Sequence, residues 1–206
     1  MTQDSVQSGQ ADHHAPWRAR LSSIVMGRYA QTGFPQQSTV TARTAAVLVL
    51  LTEGVAGVEV LLTERASGLR NYAGQLSFPG GACDDSDTDP VCTALREAQE
   101  EIGLDPASVQ ILGLLPPVTD SKARFVVAPV LGWSPNPVFS GAISEAEVAA
   151  VRHVPIQDLG PRLAAVASTG GSQGESVLPT LGHMTTAIID VVSALLRHSI
   201  ENPASE

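Results

Sequence analysis

The stretch "REAQEEIGL" (Arg96–Leu104) sets three glutamates, Glu97, Glu100 and Glu101, within five residues. On an α-helix, successive residues turn by about 100°. Val91, Leu95, Ala98 and Ile102 then form one apolar stripe, and Glu97 and Glu101 project together from its edge. Glu100 points further round, where Arg96, four residues before it, can pair with it. Like charges at this spacing repel by roughly 0.2–0.5 kcal/mol when exposed, and by more when partly buried. A divalent cation reverses the sign of that interaction. Hard cations such as Mg2+ take carboxylate and carbonyl oxygens and keep several waters. The backbone of the Gly80-Gly81 turn upstream can supply a further oxygen. The alternative is a solvated acidic face. Arg96, Gly103 and the fixed distance to Pro79-Gly80-Gly81 weigh against it.

Elements must hold these glutamates against that turn. "DPVCTALREAQEEIG" predicts the helix, with Asp89 as N-cap, Pro90 at the first helical position and Gly103 as the stop. "RTAAVLVLLTE" (43–53) is a continuous apolar run and predicts a buried strand. "VEVLLTER" (58–65) predicts its hairpin partner across the "GVAG" turn. "QLSFPGG" predicts one short strand ending in a turn, and 108–118 and 124–133 predict further strands. Residues 144–155 read as a loop entering a strand, and "IQDLGPRLAAVA" starts as a short helix. Residues 185–199 have helical apolar spacing and predict a closing helix, after the glycine-rich loop "STGGSQGES". "PWRARLSSIVMGRYA" predicts a short amphipathic helix led by Pro16, and "QTGFPQQ" a linker. Strands, one central helix, more strands and a final helix fit an α/β class with a mixed sheet between helices. The expected division is a flexible N-terminal segment, 1–35, containing that short helix, and a single domain, 36–206.

Composition bounds the function. The net charge is -9, from 12 basic and 21 acidic residues. A non-specific nucleic-acid binder needs a basic footprint, so nucleic acid is excluded as a partner. No apolar run reaches the length of a membrane span, and the polar N-terminus has no apolar signal region. Two cysteines, Cys83 and Cys92, outside any C-x-x-C, fit a reducing cytosol, and a cytoplasmic protein is expected. Cys83 reads as a bystander near the turn, and Cys92 as packed on the sheet. His13, His14, His153 and His198 have no H-E-x-x-H spacing, so no zinc site is expected.

From Gly81 to Leu104 the chain resembles the Nudix box, G-x5-E-x7-R-E-U-x-E-E-x-G-U, with U apolar. Arg96, Glu97, Ala98, Glu100, Glu101, Gly103 and Leu104 fill its second half. Upstream, "LLTERASGLRNYAGQLSFPGG" resembles the signature of the coenzyme A pyrophosphatase branch, L-L-T-x-R-[SA]-x3-R-x3-G-x3-F-P-G-G, at every fixed position. One departure stands out: fourteen residues separate Gly81 from Arg96, where the usual box has thirteen. Counting back from Arg96, the first glutamate of the box falls at Thr88, flanked by Asp87 and Asp89.

The resemblance implies a Nudix α/β/α sandwich with the box as loop–helix–loop. It implies metal-dependent hydrolysis of the diphosphate of coenzyme A or acyl-coenzyme A, with Mg2+ or Mn2+ as cofactor. ADP-ribose, nucleotide sugars and nucleoside triphosphates are the rival substrates, and a catalytically silent nucleotide-binding module is the rival class. Glu97 and Glu101 become the main metal ligands, with the Gly81 carbonyl. Glu100 becomes a third ligand or a base that positions water. Arg96 orients a glutamate or forms a structural ion pair. Arg65 and Arg70 suit phosphate contact, since a guanidinium binds phosphate through two bonds, with plain surface arginines as the alternative. Gln75 and Ser77 add polar contacts or are simply sheet residues, and Glu147 on a late loop is the candidate general base, with a solvated loop acid as its alternative. The partner is a small-molecule substrate, with no membrane contact, and a homodimer stays open.

Overall fold

Strand β1 (Arg43–Gly54) is buried on both faces, which is why its sequence is continuously apolar rather than alternating. Val49 and Leu51 face one core, and Ala46, Leu48 and Leu50 face the other. The computed structural model describes residues 15–29, 43–55, 57–120, 125–141, 143–159 and 181–201. The expected flexible N-terminal stretch, His13, His14, the 31–37 linker, the 35/36 boundary and the glycine-rich loop lie outside the described residues.

β2 (Gly57–Arg65) pairs antiparallel with β1 only from Leu51↔Val60 to Gly54↔Gly57, and the two strands then diverge. β3 (Leu76–Ser77) follows β2, and β4 (Gly80–Ala82) follows β1, so the two short strands fill the wedge. The expected single strand with a Pro-Gly-Gly turn is therefore two strands on different partners. Pro79 has no N–H to give, and its carbonyl accepts from Leu48 N at 2.8 Å as the chain crosses over. Gly80 and Gly81 lie in β4, opposite Val47 and Ala46.

β5 (Gln110–Leu114) ends before Pro116-Pro117, and the expected 108–118 strand is broken there. β6 (Val118–Asp120) resumes it against β7 (Phe125–Ser134). β7 runs parallel to β1 over ten residue pairs, which makes the sheet mixed. β8 (Val148–Pro155) closes the other edge on β2.

α1 (Ala15–Tyr29) and α3 (His183–Glu201) cover one face, where Leu21, Val25, Ile188, Ile189 and Val192 join Val49 and Leu51. α2 (Pro90–Ile102) covers the other, with Ala94, Ala98 and Ile102 on Leu48, Leu50 and Leu61. Each fully buried Leu or Ile contributes roughly 1.5–3 kcal/mol. The order helix, sheet, helix is the expected sandwich. No helix among the described residues is long and apolar enough to cross a membrane.

Candidate active site

α2 begins and ends where its sequence says. The Asp89 carboxylate caps Cys92 N at 2.9 Å, which contributes about 1 kcal/mol, and Pro90 follows. Gly103 ends the helix in the left-handed region, φ 68°, donating to Gln99 O at 2.9 Å. The buried face differs from the expected stripe. Thr93 and Ala94 are buried, whereas Val91 and Leu95 are only partly so. The 83–89 loop folds over the first turn and covers Thr93, whose hydroxyl donates to Asp87 Oδ2 at 2.9 Å. Cys92 is exposed rather than packed on the sheet, because it points away from this face.

The rotated face carries Glu101 under the sheet, where it is 7% exposed. Its Oε2 accepts from Gly80 N at 3.1 Å. Burial pushes its pKa up to about 7, and the charges of Glu97 and Glu147 add to the rise. Arg65 opposes it, so that guanidinium also acts on this carboxylate. Glu97 is raised by burial as well, with Glu100 and Glu147 contributing and Arg96 opposing. A Cβ on Gly81 would lie 2.5 Å from the Glu97 carboxylate, so Glu97 occupies the space that glycine leaves. Glu147 is exposed, three residues past Ser144, whose N–H donates to Glu101 O at 2.9 Å, and its charge adds to the rise at both glutamates. Glu100 is turned to Arg96, at 3.2 Å, with its side chain 60% exposed. Among the described residues, no three acidic, histidine or cysteine side chains already converge as a metal cluster.

Arg96 ties the network together. It binds Asp87 through two bonds, Nε to Oδ1 at 3.1 Å and Nη2 to Oδ2 at 2.9 Å. It also donates to Glu97 Oε1 at 3.0 Å and to Ala82 O at 3.1 Å, fastening α2 to β4. The guanidinium holds the Asp87 carboxyl well below the usual carboxylate range, and Asp87 raises Arg96 in return. Sequence reasoning passed over Asp87, because counting back from Arg96 lands on Thr88. Counting forward from Gly81, G-x5-E lands on Asp87, and that was the available signal.

On the opposite face of the sheet, over the wedge between β1 and β2, lies a cavity of about 330 Å³. Arg65, Gln75, Gly80 and Gly81 line it, and the first turn of α3 closes it. Leu76 pairs with Leu181, which holds that turn in place. The last helix is therefore a wall of the cavity as well as a cover for the core. Arg70 is exposed and does not line it.

A family model described as NUDIX domain matches residues 42–171. The chain is 47% identical over 120 residues to the uncharacterized Nudix hydrolase NudL of Citrobacter koseri, 58% of this chain and 61% of that protein. It is 47% identical over 123 residues to the NudL of Cronobacter sakazakii, 59% and 62% of the two chains. The chain thus spans about three fifths of the length of these relatives. Among solved structures, RenU, a Nudix hydrolase from M. smegmatis, aligns with a TM-score of 0.55 at 20% identity, over 76% of this chain and 87% of that one. The NUDIX domain of Shewanella oneidensis NrtR, complexed with ADP ribose, aligns with a TM-score of 0.51 at 19% identity, over 82% and 97%. These likenesses show the fold, and the family match covers more than half of the sequence: the chain belongs to the Nudix family, whose hydrolases act on phosphorus anhydrides.

Proposed function

We propose that the chain hydrolyses the diphosphate bond of coenzyme A or an acyl derivative, releasing 3',5'-ADP and 4'-phosphopantetheine or its acylated form. The observation that carries this reading is β4. It lines the cavity on one side and meets Glu97 and Glu101 on the other. A ligand seated in the cavity then presents its phosphates to the carboxylates past Gly80 and Gly81, which have no side chains to obstruct them. The complete 61–81 signature favours coenzyme A over ADP-ribose, nucleotide sugars and nucleoside triphosphates.

The donor set suits Mg2+ or Mn2+. Two buried-edge carboxylates repel each other and Glu147, and a hard dication relieves that repulsion. Glu97, Glu101 and Glu100 would hold it, with the Gly81 carbonyl, whose second lone pair remains after pairing in the sheet. When bound, the ion neutralises phosphoryl charge and lowers the pKa of water. The protein does the rest. Arg96, fixed by Asp87, orients Glu97. Glu147 takes the proton of the attacking water as the new P–O bond forms and the bridging P–O bond breaks. Glu100 is the second candidate for that role, although it is engaged by Arg96. Arg65, near Glu101, steadies the diphosphate, and Arg70 meets the 3'-phosphate outside the cavity. Gln75 contacts the ligand within the cavity. The reading places the enzyme in the cytoplasm, with a homodimer as its simplest assembly.

The test is incubation with coenzyme A and Mg2+ or Mn2+, following 3',5'-ADP by chromatography, with Glu101→Gln as control. Metal-dependent 3',5'-ADP that vanishes in the variant is the expected result. Cleavage of ADP-ribose or another nucleoside diphosphate alone would sink the coenzyme A assignment. No turnover of any diphosphate would leave a nucleotide-binding module.

A further inference from the structure

The cavity has an uneven chemistry. Of the eight aromatic residues in the chain, three, Tyr72, Phe78 and Phe125, line it. Among the described residues, no acid lines it, and Arg65 and His183 are the lining side chains that can carry positive charge. Such walls suit a flat, uncharged ring system better than a phosphate. Tyr72 is held at φ 58°, an uncommon conformation for a bulky residue.

Two of the cavity's lining residues carry unmet hydrogen-bonding atoms. Among the described residues, Arg65 Nε and Gln75 Oε1 are buried without a partner. The two residues sit opposite each other where β2 meets β3: Arg65 N donates to Gln75 O at 2.9 Å, continuing the Thr63↔Ser77 and Glu64↔Leu76 register. Directly opposed residues share a face of the sheet. The surroundings close around the carboxamide, since a Cβ on Gly182 would lie 3.3 Å from Oε1. A buried acceptor with no donor is unfavourable in the free protein and is satisfied when a ligand N–H arrives.

We infer that this cavity is a purine subsite in which Gln75 selects adenine, its Oε1 accepting from the 6-amino group while the aromatic walls cover the ring. A carboxamide matches the N6/N7 edge of adenine, accepting from the amino group and donating to N7. Hypoxanthine presents two acceptors on that edge, O6 and N7, so the carboxamide oxygen is left unpaired whichever way it turns, a mismatch that polar sites reject strongly. The inference deepens the proposed reaction and rests on it for the placing of the diphosphate beside Gly80 and Gly81. The amides of a pantetheine arm also donate N–H groups, but the three aromatic rings favour the base.

The test is calorimetric titration of the chain with ADP, IDP and 4'-phosphopantetheine, without added metal so that nothing is cleaved, for the wild type and Gln75→Leu. The wild type is expected to bind ADP at least tenfold more tightly than IDP. Gln75→Leu should bind the two alike and melt at the same temperature or higher, because the unpaired acceptor is gone. Four results would overturn the subsite: no binding of ADP, equal binding of ADP and IDP, a preference that survives Gln75→Leu, or Gln75-dependent binding of 4'-phosphopantetheine in place of ADP. Should the variant not fold, the wild-type ratio of ADP to IDP still decides. Coenzyme A cleavage, measured separately, keeps the two readings apart: an intact adenine preference without cleavage sinks the reaction and leaves the subsite.

Discussion

Asp87 joins the loop to the helix chemistry through a single side chain. It takes two of the guanidinium bonds that fix Arg96, and Arg96 in turn holds Glu97. The pair is partly buried, with the Asp87 side chain 5% exposed and Arg96 23% exposed. Breaking a buried pair strands the remaining charge, at about 3–5 kcal/mol when burial is complete. Asp87→Asn should therefore lower stability at pH 7 by about 2–3 kcal/mol in urea unfolding. It should also lower kcat on the diphosphate substrate by roughly ten- to a hundredfold, through the loosened Glu97. The pH signature follows from a depressed carboxylate. Its contribution is present above the ordinary 3.8 of the unfolded group and is lost as pH falls through the lower folded value. The gap between wild type and variant should narrow below that pH, and a gap that stays constant would assign the loss to something other than the ion pair. This residue was hidden in the sequence because the extra position in the loop falls between it and the N-cap Asp89. Counting from the helix misplaces it, whereas counting from the glycine does not.

α2 and β4 act as a unit, and two glycines test different parts of it. Gly81 faces the Glu97 carboxylate, which is the far end of a flexible side chain and can swing aside. Gly81→Ala should keep the fold within about 1 kcal/mol and yet cost catalysis roughly a hundredfold, since Glu97 is pushed off its position. Gly103 sits at φ 68°, and a Cβ there would meet the Gly141 backbone at 2.5 Å. Gly103→Ala should lower stability by at least about 1–2 kcal/mol from the left-handed conformation alone. Thermal melting and kcat, measured on both variants, should separate cleanly: activity lost in the first, stability in the second. Equal melting losses would mean that β4 cannot yield around Glu97. The bounds of α2 were legible because Asp89, Pro90 and Gly103 are local signals. The wedge was not, because nothing in "QLSFPGG" says that Leu76 follows β2 while Gly80 follows β1. That split depends on where β1 and β2 part, which is a property of the whole sheet.

At the scale of the molecule, the sandwich buries β1 from both sides and so forces the glutamate edge of α2 against β4. The fold thus holds Glu101 in a place where its charge is unfavourable until something compensates it. Its folded pKa of about 7 stands above the 4.5 of the unfolded group, so the folded state binds the proton more tightly. That contribution is complete below 4.5 and is lost as pH rises through about 7, on the order of 3 kcal/mol in all. The groups facing it are Glu97 and Glu147, which push in the same direction, and Arg65 and the Gly80 N–H, which resist. Asp87 acts in the opposite sense, but below this window. In chelator, the free energy of unfolding should therefore fall between about pH 5 and pH 8, and Glu101→Gln should flatten most of that fall. With millimolar Mg2+ or Mn2+, the wild type should regain the loss at pH 8, because an ion bound to the ionised carboxylates stabilises only the folded state. The variant should regain much less. A wild-type curve that ignores added metal at pH 8 would remove Glu101 from the ligand set. A curve that Glu101→Gln leaves unchanged in chelator would mean that the burial of this carboxylate is relieved by water rather than held by the sheet.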